Sequence, residues 1–117
     1  MKQHNFTHLF KLSAGQISTA FLQATRIASI EGIKLMKVRQ TKESRFIIAL
    51  TRGIKGSVKR NLLRRRIKGA LRDGIAQHGP LPASILLCVV YPSATNRSYQ
   101  EISSFLQTHL WQTIKAQ

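Results

Sequence analysis

The chain has 117 residues, with 19 Lys and Arg against 4 Asp and Glu, a formal charge of +15 and an isoelectric point near 11.5. With 43% apolar residues, this length predicts one domain, residues 1–117, with its own core. The acids are spread along the chain, which excludes the carboxylate clusters of two-metal nucleases and the facing carboxylate pairs of glycosidases. The sequence therefore predicts no catalytic carboxylate and no metal ligand on the protein.

The apolar runs of the sequence bear on its compartment. The longest, residues 46–50 and 85–91, fall far short of the roughly 20 residues that a bilayer crossing needs. Residues 1–11 lack the pattern of a signal peptide. The single cysteine, Cys88, forms no internal disulfide, in agreement with a reducing environment. We expect a cytoplasmic protein without a membrane partner.

The first third of the chain carries one clear periodic signal. Apolar residues spaced i, i+3, i+4 predict a short amphipathic helix over residues 5–13, with Gly15 as its stop signal; they are Phe6, Leu9 and Phe10. Residues 17–30 fit a helix by some positions and a strand by others. The pattern leaves both structures open for that segment.

Two strands are predicted in the middle of the chain. Residues 44–51 alternate in hydrophobicity, with Phe46, Ile48 and Leu50 on one side, and residues 32–40 also read as a strand. The polar residues 41–43 between them are typical of a turn. The sequence thus predicts that these two strands pair as a hairpin.

The next element is a basic helix. Two glycines mark a loop over residues 53–56, after which Ser57 is expected to cap a helix that runs to about Arg72 and stops at Asp73-Gly74. On a helical wheel, one side of this helix is apolar and is expected to pack on the sheet; it comprises Leu63, Ile67, Ala70 and Leu71.

The last third predicts a strand and a helix. Residues 83–91 are apolar on both faces, as in a central strand covered on both sides. Ser98 and Glu101 have capping-box spacing, and apolar residues at intervals of three or four then predict a helix; they are Tyr99, Ile102, Leu106, Leu110 and Ile114. The order of elements indicates an α+β or α/β sandwich.

The positive charge is concentrated in one block. Residues 52–72 hold nine of the 19 cations, and no acid occurs from Ser44 through Arg72. Beside the apolar side of the basic helix lies a stripe of cations with one amide: Asn61, Arg64, Arg65, Lys68 and Arg72. Such a stripe can follow a phosphate backbone, whereas a merely solvated face would carry acids to relieve the repulsion at i, i+4 spacing. A polyanion is the expected partner.

DNA and RNA both fit this stripe. Helix-turn-helix proteins also present Arg and Asn from a recognition helix, but a short helix precedes it, whereas residues 46–51 read as a strand. RNA is therefore favoured over DNA by the pattern.

The block from Arg45 to Leu71 resembles the bacterial ribonuclease P protein component. The resemblance runs without a gap over 27 residues, and Arg60-Asn61 followed by a basic amphipathic helix is its most specific part. The chain departs from the family pattern at Leu62, where Arg is usual, and at Tyr91, where a basic residue is common.

This resemblance implies a two-layer α-β sandwich of the α+β class, with a mixed sheet of about four strands and a left-handed βαβ crossover, as in one domain of a ribosomal protein. It implies a protein that binds the catalytic RNA of ribonuclease P and the 5′ leader of precursor tRNA, with no protein partner required. Cleavage of the leader then depends on Mg²⁺ held mainly by the RNA subunit, none being bound by the protein alone, so the chain is the non-catalytic subunit of an endoribonuclease. A ribosomal or other structural RNA-binding protein is the alternative.

The resemblance also implies roles for particular residues. The expected RNA contacts lie in the basic block: Arg52, Lys55, Lys59, Arg60, Asn61, Arg64, Arg65, Lys68 and Arg72. Phe6 and Phe10 are expected to line a leader cleft between the first helix and the sheet, where bases can stack on aromatic rings. The alternative for both rings is simple core packing.

Overall fold

The computed structural model describes residues 6–40 and 42–112. Four strands form one sheet: β1 (Thr25–Ile30), β2 (Ile33–Gln40), β3 (Arg45–Leu50) and β4 (Ser84–Val90), in the spatial order β1-β2-β4-β3. β2 is antiparallel to β1 and to β4, whereas β3 is parallel to β4. The predicted α+β class with a mixed four-stranded sheet is confirmed.

The predicted hairpin between residues 32–40 and 44–51 is wrong. Both strands exist, but β4 lies between them, because a strand that is apolar on both faces takes an interior position with a neighbour on each side. The hairpin is instead formed by β1 and β2. It turns at Gly32, whose φ of +94° and close approach to the backbone of Ala94 both exclude a larger residue. Thr41, in the predicted turn, lies outside the described residues.

The segment before β1 differs from its prediction. Phe6–Phe10 form a 3₁₀ helix rather than the first part of an α-helix over residues 5–13, and Asn5 lies outside the described residues. Gly15 does not stop a helix. It lies in the first turn of α1 (Ala14–Gln23), which Ser13 caps by accepting a 3.1 Å hydrogen bond from the Gln16 backbone. Residues 17–30 thus hold both structures that their pattern allowed.

The basic helix, α2, spans Ser57–His78. Its N-cap is Gly56, with φ +90° and no side-chain cap, so the prediction of Ser57 as the cap is wrong. Asp73-Gly74 does not end the helix either. Gly74 is a packing residue, because the Trp111 ring occupies the space that a Cβ would need. The helix ends at Gly79, whose N–H donates to the carbonyl of Ile75 over 2.9 Å.

The last helix confirms its prediction. α3 (Tyr99–Gln107) begins with the capping box of Ser98 and Glu101 and continues as a π-helical turn over Thr108–Gln112. Ile114, predicted on its apolar side, lies outside the described residues. Phe105 and Trp111 are buried in the core.

Helices lie on both faces of the sheet. α2 and α3 cover one face. Every residue of the apolar side predicted for α2 is buried there: Leu63, Ile67, Ala70 and Leu71. α1 packs on the other face, where Ala20 meets Ile47, Ile85 and Leu87. β4 is therefore covered on both sides, as predicted. β3, α2 and β4 form a βαβ crossover between parallel neighbours, and its hand stays a prediction.

Each helix in residues 6–40 and 42–112 is too short or too polar to pass through a lipid bilayer.

Candidate nucleic-acid interface

The cation stripe lies on the outer surface of α2. Leu63 and Ile67 anchor the inner side of the helix in the core, which turns the opposite side to solvent. Four members of the stripe are exposed and the fifth, Lys68, is half-buried: Asn61, Arg64, Arg65, Arg72 and Lys68. At about 1.5 Å per residue, the stripe from Asn61 to Arg72 extends over roughly 16 Å. This length allows contacts to several successive phosphates of one strand.

Three carboxylates of the chain have their partners beside α3. Arg97 binds both Glu31, at 3.4 Å, and Glu101, at 3.3 Å. The backbone N–H of Ser98 and the Arg97 guanidinium lower the pKa of Glu101 below its ordinary value of 4.5. Asp73 accepts a hydrogen bond from the Tyr99 hydroxyl on α3. None of these contacts involves a cation of the stripe.

Arg60 occupies a special place among the predicted RNA contacts. Its Nη1 donates to the carbonyl oxygens of Ile54, at 2.9 Å, and Thr51, at 3.1 Å, and its Nη2 donates to that of Leu50, at 3.3 Å. The side chain is half-buried. Three of the five N–H groups of the guanidinium therefore hold the loop that joins β3 to α2.

The other predicted contacts in this loop and the first turn of α2 are free to reach a ligand. Arg52, Lys55 and Lys59 are exposed. Thr51, just before Arg52, donates its N–H to the carbonyl of Val90 over 2.9 Å, which ties the loop to the end of β4. The cations of the loop thus continue the stripe toward that end of the sheet.

Phe6 and Phe10 lie directly against the stripe. Their ring centroids are 5.3 Å apart in an edge-on arrangement. Lys68 Nζ lies 4.7 Å from the centroid of Phe10, and Arg72 Cζ lies 4.6 Å from that of Phe6. Both rings are half-buried against the core, where Phe10 meets Phe46. Each ring therefore packs inward and also carries a cation over one face.

Two cavities flank these rings. One, of about 170 Å³, opens at the β3 edge between Phe10, Ile17, Arg64 and Lys68. The other, of about 540 Å³, is mostly apolar and lies between Phe6 and the second half of α2, with Arg72 in its wall. Each cavity therefore joins an aromatic ring to a cation of the stripe, which suits a base with its phosphate.

A polar cluster fastens the 3₁₀ helix to the start of β3. Arg45 Nη2 donates to Glu43 Oε1 over 2.7 Å and to His8 Nε2 over 2.9 Å, while its Nε donates to the carbonyl of Lys11 over 3.2 Å. The hydrogen bonds of Glu43 with Arg45 and His8 lower the pKa of the Glu43 carboxyl. The sequence did not predict this role of Arg45. The alternation of residues along a strand shows only which face of the sheet a side chain lies on.

Comparison with known proteins decides the family. The family model described as Ribonuclease P matches residues 9–115. The chain belongs to the ribonuclease P protein family. The ribonuclease P protein components of Borrelia duttonii and Borrelia recurrentis are each 32% identical over 98 residues, which covers 77% of this chain and 79% of each relative. The alternative of a ribosomal protein is not favoured.

Solved ribonuclease P proteins share the fold. The protein from Staphylococcus aureus superposes with a TM-score of 0.65 at 15% identity, covering 87% of this chain and 92% of that one. The protein from Thermotoga maritima gives a TM-score of 0.65 at 14% identity, covering 80% and 87%. At such identities the likeness extends to the fold alone, so the roles of individual residues stay predictions.

The possible metal ligands of this ribonuclease P protein are scattered. Across residues 6–40 and 42–112, no three His, Cys, Asp or Glu side chains lie close enough to hold one. His8 and Glu43 are neighbours, at 3.2 Å, but their nearest charged companion is the guanidinium of Arg45. The described residues therefore form no three-residue cage of these donor types around a metal ion.

Proposed function

We propose that this ribonuclease P protein binds the catalytic RNA through the stripe on α2 and the loop before it, and binds the 5′ leader of precursor tRNA beside Phe6 and Phe10. In this arrangement it assists endonucleolytic removal of the leader without supplying a catalytic group. The observation that carries the proposal is the contact of Lys68 and Arg72 with those two rings. It joins a surface suited to phosphates with one suited to bases.

The stripe is the proposed contact with the catalytic RNA. Arg64 and Arg65 present planar forks that can hold a phosphate through two hydrogen bonds, whereas Lys68 acts as a point charge. Asn61 adds a neutral amide that can bind a phosphate, a ribose hydroxyl or a base edge. Arg52, Lys55 and Lys59 extend the contact along the loop and the first turn.

The aromatic pair is the proposed contact with the leader. A base stacked on Phe6 or Phe10 gains from the ring face and from the neighbouring cation, which can bind the attached phosphate. When a base enters, Lys68 or Arg72 moves from the ring to the phosphate. Stacking tolerates every base, so we expect little sequence preference in the leader at this point.

Mg²⁺ belongs to the RNA in this proposal. The metal is held mainly by the catalytic RNA, and the protein lowers the ion concentration that the RNA needs by neutralising phosphates. The buried single thiol of Cys88 suits the reducing cytoplasm, where we place this assembly.

Reconstitution tests the proposal. The purified chain alone is expected to leave precursor tRNA intact, and together with the catalytic RNA from the same source it is expected to lower the Mg²⁺ needed for cleavage. The matched control is a triple variant, Arg64→Ala with Arg65→Ala and Lys68→Ala, which should assemble poorly. Cleavage by the protein without RNA, or a wild-type chain that leaves the Mg²⁺ requirement of the RNA unchanged, would refute the proposal.

A further inference from the structure

Two apolar residues lie on the outer part of α2, outside the core. Val58, in the first turn of the helix, is 80% exposed, and Leu62, one turn further on, is half-buried. In the part of the chain that the structure describes, neither side chain belongs to the apolar clusters on the two faces of the sheet. Packing of the core therefore does not explain this apolar pair, Val58 and Leu62.

The apolar pair lies among the cations of the proposed RNA contact. Residues spaced four and seven positions apart share one side of a helix, so Leu62 and Arg65 are neighbours of Val58 along α2. Lys59 lies in the same turn as Val58, and Lys55 lies in the loop before that turn. The side chains of Lys55, Lys59 and Arg65 are all exposed. The pair thus has cations before and after it along the chain.

An apolar group within a phosphate-binding surface restricts what can lie against it. When the surrounding cations bind phosphates, the ligand also displaces water from Val58, and this step is favourable only if Val58 meets apolar surface. The phosphates of RNA offer no such surface, whereas the C–H groups of ribose and the faces of the bases do. Because the cations before and after the pair bind successive phosphates, the nucleoside between those phosphates is the group that meets the pair.

The charge around the pair favours RNA over a second copy of the chain. Two copies that met at Val58 would place the cations of one copy against the same cations of the other, and like charges across an interface repel. These cations are Lys55, Lys59 and Arg65. RNA instead brings negative charge to the cations and apolar surface to the pair, so it complements both parts of this surface.

We propose that Val58 and Leu62 form an apolar contact for the nucleoside of one nucleotide in the catalytic RNA, while the phosphates beside that nucleoside bind Arg65 and the cations of the loop. The inference rests on the proposed function for the identity of the RNA. It adds to the stripe a contact that depends on the nucleoside and not on charge. Such a contact distinguishes RNA from other polyanions, which the cations alone cannot do.

Binding to two polyanions tests the apolar pair. The catalytic RNA from the same source presents phosphates and nucleosides, whereas inorganic polyphosphate presents phosphates alone. Val58→Ser is expected to weaken binding of the catalytic RNA about 5-fold with an unchanged salt slope, because no charge is removed. The same variant should bind polyphosphate as tightly as wild type. Val58→Ile retains the apolar contact and should bind the RNA with wild-type affinity.

Leu22→Ser is the matched control. Leu22 is 87% exposed on α1 and belongs to residues 12–25, which contain no charged residue, so this variant should bind both ligands as wild type does. Calorimetry at several temperatures adds a second signature, because burial of apolar surface makes the heat-capacity change of binding negative. For the catalytic RNA, this change should be less negative with Val58→Ser than with wild type or Leu22→Ser.

Photochemical cross-linking identifies what lies against the pair. A benzophenone amino acid placed at position 58 inserts into nearby C–H bonds when irradiated, and reverse transcription of the catalytic RNA should then stop at one position. The same amino acid at position 22 should produce no stop. Cross-links from position 58 to precursor tRNA or to a second protein chain, or the absence of any cross-link to the catalytic RNA, overturn the inference.

The outcomes separate this inference from the proposed function. If wild type binds the catalytic RNA and Val58→Ser binds it equally well, the apolar contact is wrong and the proposed function stands. If Val58→Ser loses affinity for the RNA and for polyphosphate alike, the change has disturbed the cations, and the apolar contact is again overturned. If the wild-type chain itself leaves the catalytic RNA unbound, the proposed function fails, and this inference fails with it.

Discussion

The Arg60 guanidinium donates a 2.9 Å hydrogen bond to the backbone carbonyl of Ile54, in the loop that leads into the basic helix. Ile54 is itself buried in the core, so the bond fixes the first turn of α2 relative to the end of β3. Arg60 is the most specific residue of the family resemblance together with Asn61, yet its fork faces the protein. We infer that Arg60 holds the loop so that Arg52 and Lys55 can contact RNA, and that it has this role besides its own predicted contact with RNA.

Replacing Arg60 is expected to affect stability as well as binding. Arg60→Ala leaves three backbone carbonyls, of Leu50, Thr51 and Ile54, without this donor, and we expect it to lower the free energy of unfolding by about 2 kcal/mol. Urea denaturation followed by circular dichroism measures the change. Arg64→Ala, at an exposed position of the same helix, is the control and should shift stability by less than about 0.5 kcal/mol. Equal stability of both variants would contradict a positioning role for Arg60.

The salt dependence of RNA binding should reveal the stripe. Changing Arg64, Arg65 and Lys68 together to Ala is expected to flatten the slope of log affinity against log salt by about 2 to 3 units, because each neutralised phosphate contributes about 0.7 to 0.9. Asn61→Ala should weaken binding with the slope unchanged, since the amide carries no charge. Filter binding of the catalytic RNA over a salt series measures both. A triple variant with the wild-type slope would remove the stripe from the interface.

Phe10 distinguishes stacking from core packing. Phe10→Leu preserves much of the apolar volume against Phe46 but removes the ring beneath Lys68. We expect precursor tRNA to bind the holoenzyme about 10-fold more weakly, while mature tRNA binds as before. Thermal unfolding of the variant serves as the control for packing. If stability falls while the preference for precursor over mature tRNA is retained, Phe10 is a core residue only.

Position 74 requires glycine because of the neighbouring Trp111 ring and not because of its backbone conformation. A Cβ at this position overlaps the Trp111 ring, so Gly74→Ala is expected to lower the free energy of unfolding by about 1 to 3 kcal/mol despite its better helix propensity. Gly69→Ala is the matched control. Its Cβ would lie 3.3 Å from the edge of the Tyr99 ring, which is half-exposed and can shift slightly. Chemical denaturation should give Gly74→Ala a clearly lower free energy of unfolding than Gly69→Ala. The reverse order would contradict the packing of Gly74 against Trp111.

The thiol of Cys88 reports unfolding. Burial raises its pKa to about 12, so at pH 8 the native thiol is protonated and inaccessible. We expect Ellman's reagent to label the native protein only at the rate at which it unfolds, and to label the urea-unfolded protein at once, when the thiol regains an ordinary pKa. Rapid labelling of the native protein at pH 8 would contradict the burial of β4.

Patterns within single elements were predictable from the sequence, whereas partners between elements were not. The apolar side of α2 and the capping box of α3 are local signals, and the structure confirms both. The predicted hairpin was wrong because the alternation of residues in β2 and β3 does not show which strand lies next to which. The signal that could have corrected it was β4, since a strand apolar on both faces needs a neighbour on each side.

The same limit applies to the site. The stripe could be located from the spacing of Asn61, Arg64 and Lys68, because a helix fixes which residues share a side. The contacts of Lys68 with Phe10 and of Arg45 with His8 join residues far apart in the chain, and only the tertiary structure brings them together. The predicted helix end at Gly74 was wrong for a related reason. In the sequence, a glycine that makes room for a distant indole ring looks the same as a glycine that ends a helix.

The position of β4 between β2 and β3 has a consequence for the nascent chain. As the polypeptide leaves the ribosome, β1 and β2 can pair at once, but β3 has no neighbour until the strand that follows α2 has been made. Joining the two halves of the sheet is thus a late, non-local step that requires closure of a long loop, and such steps govern folding rates. Substitutions in β4 should therefore slow refolding, and so should those in β1, because its pairing with β2 precedes that step.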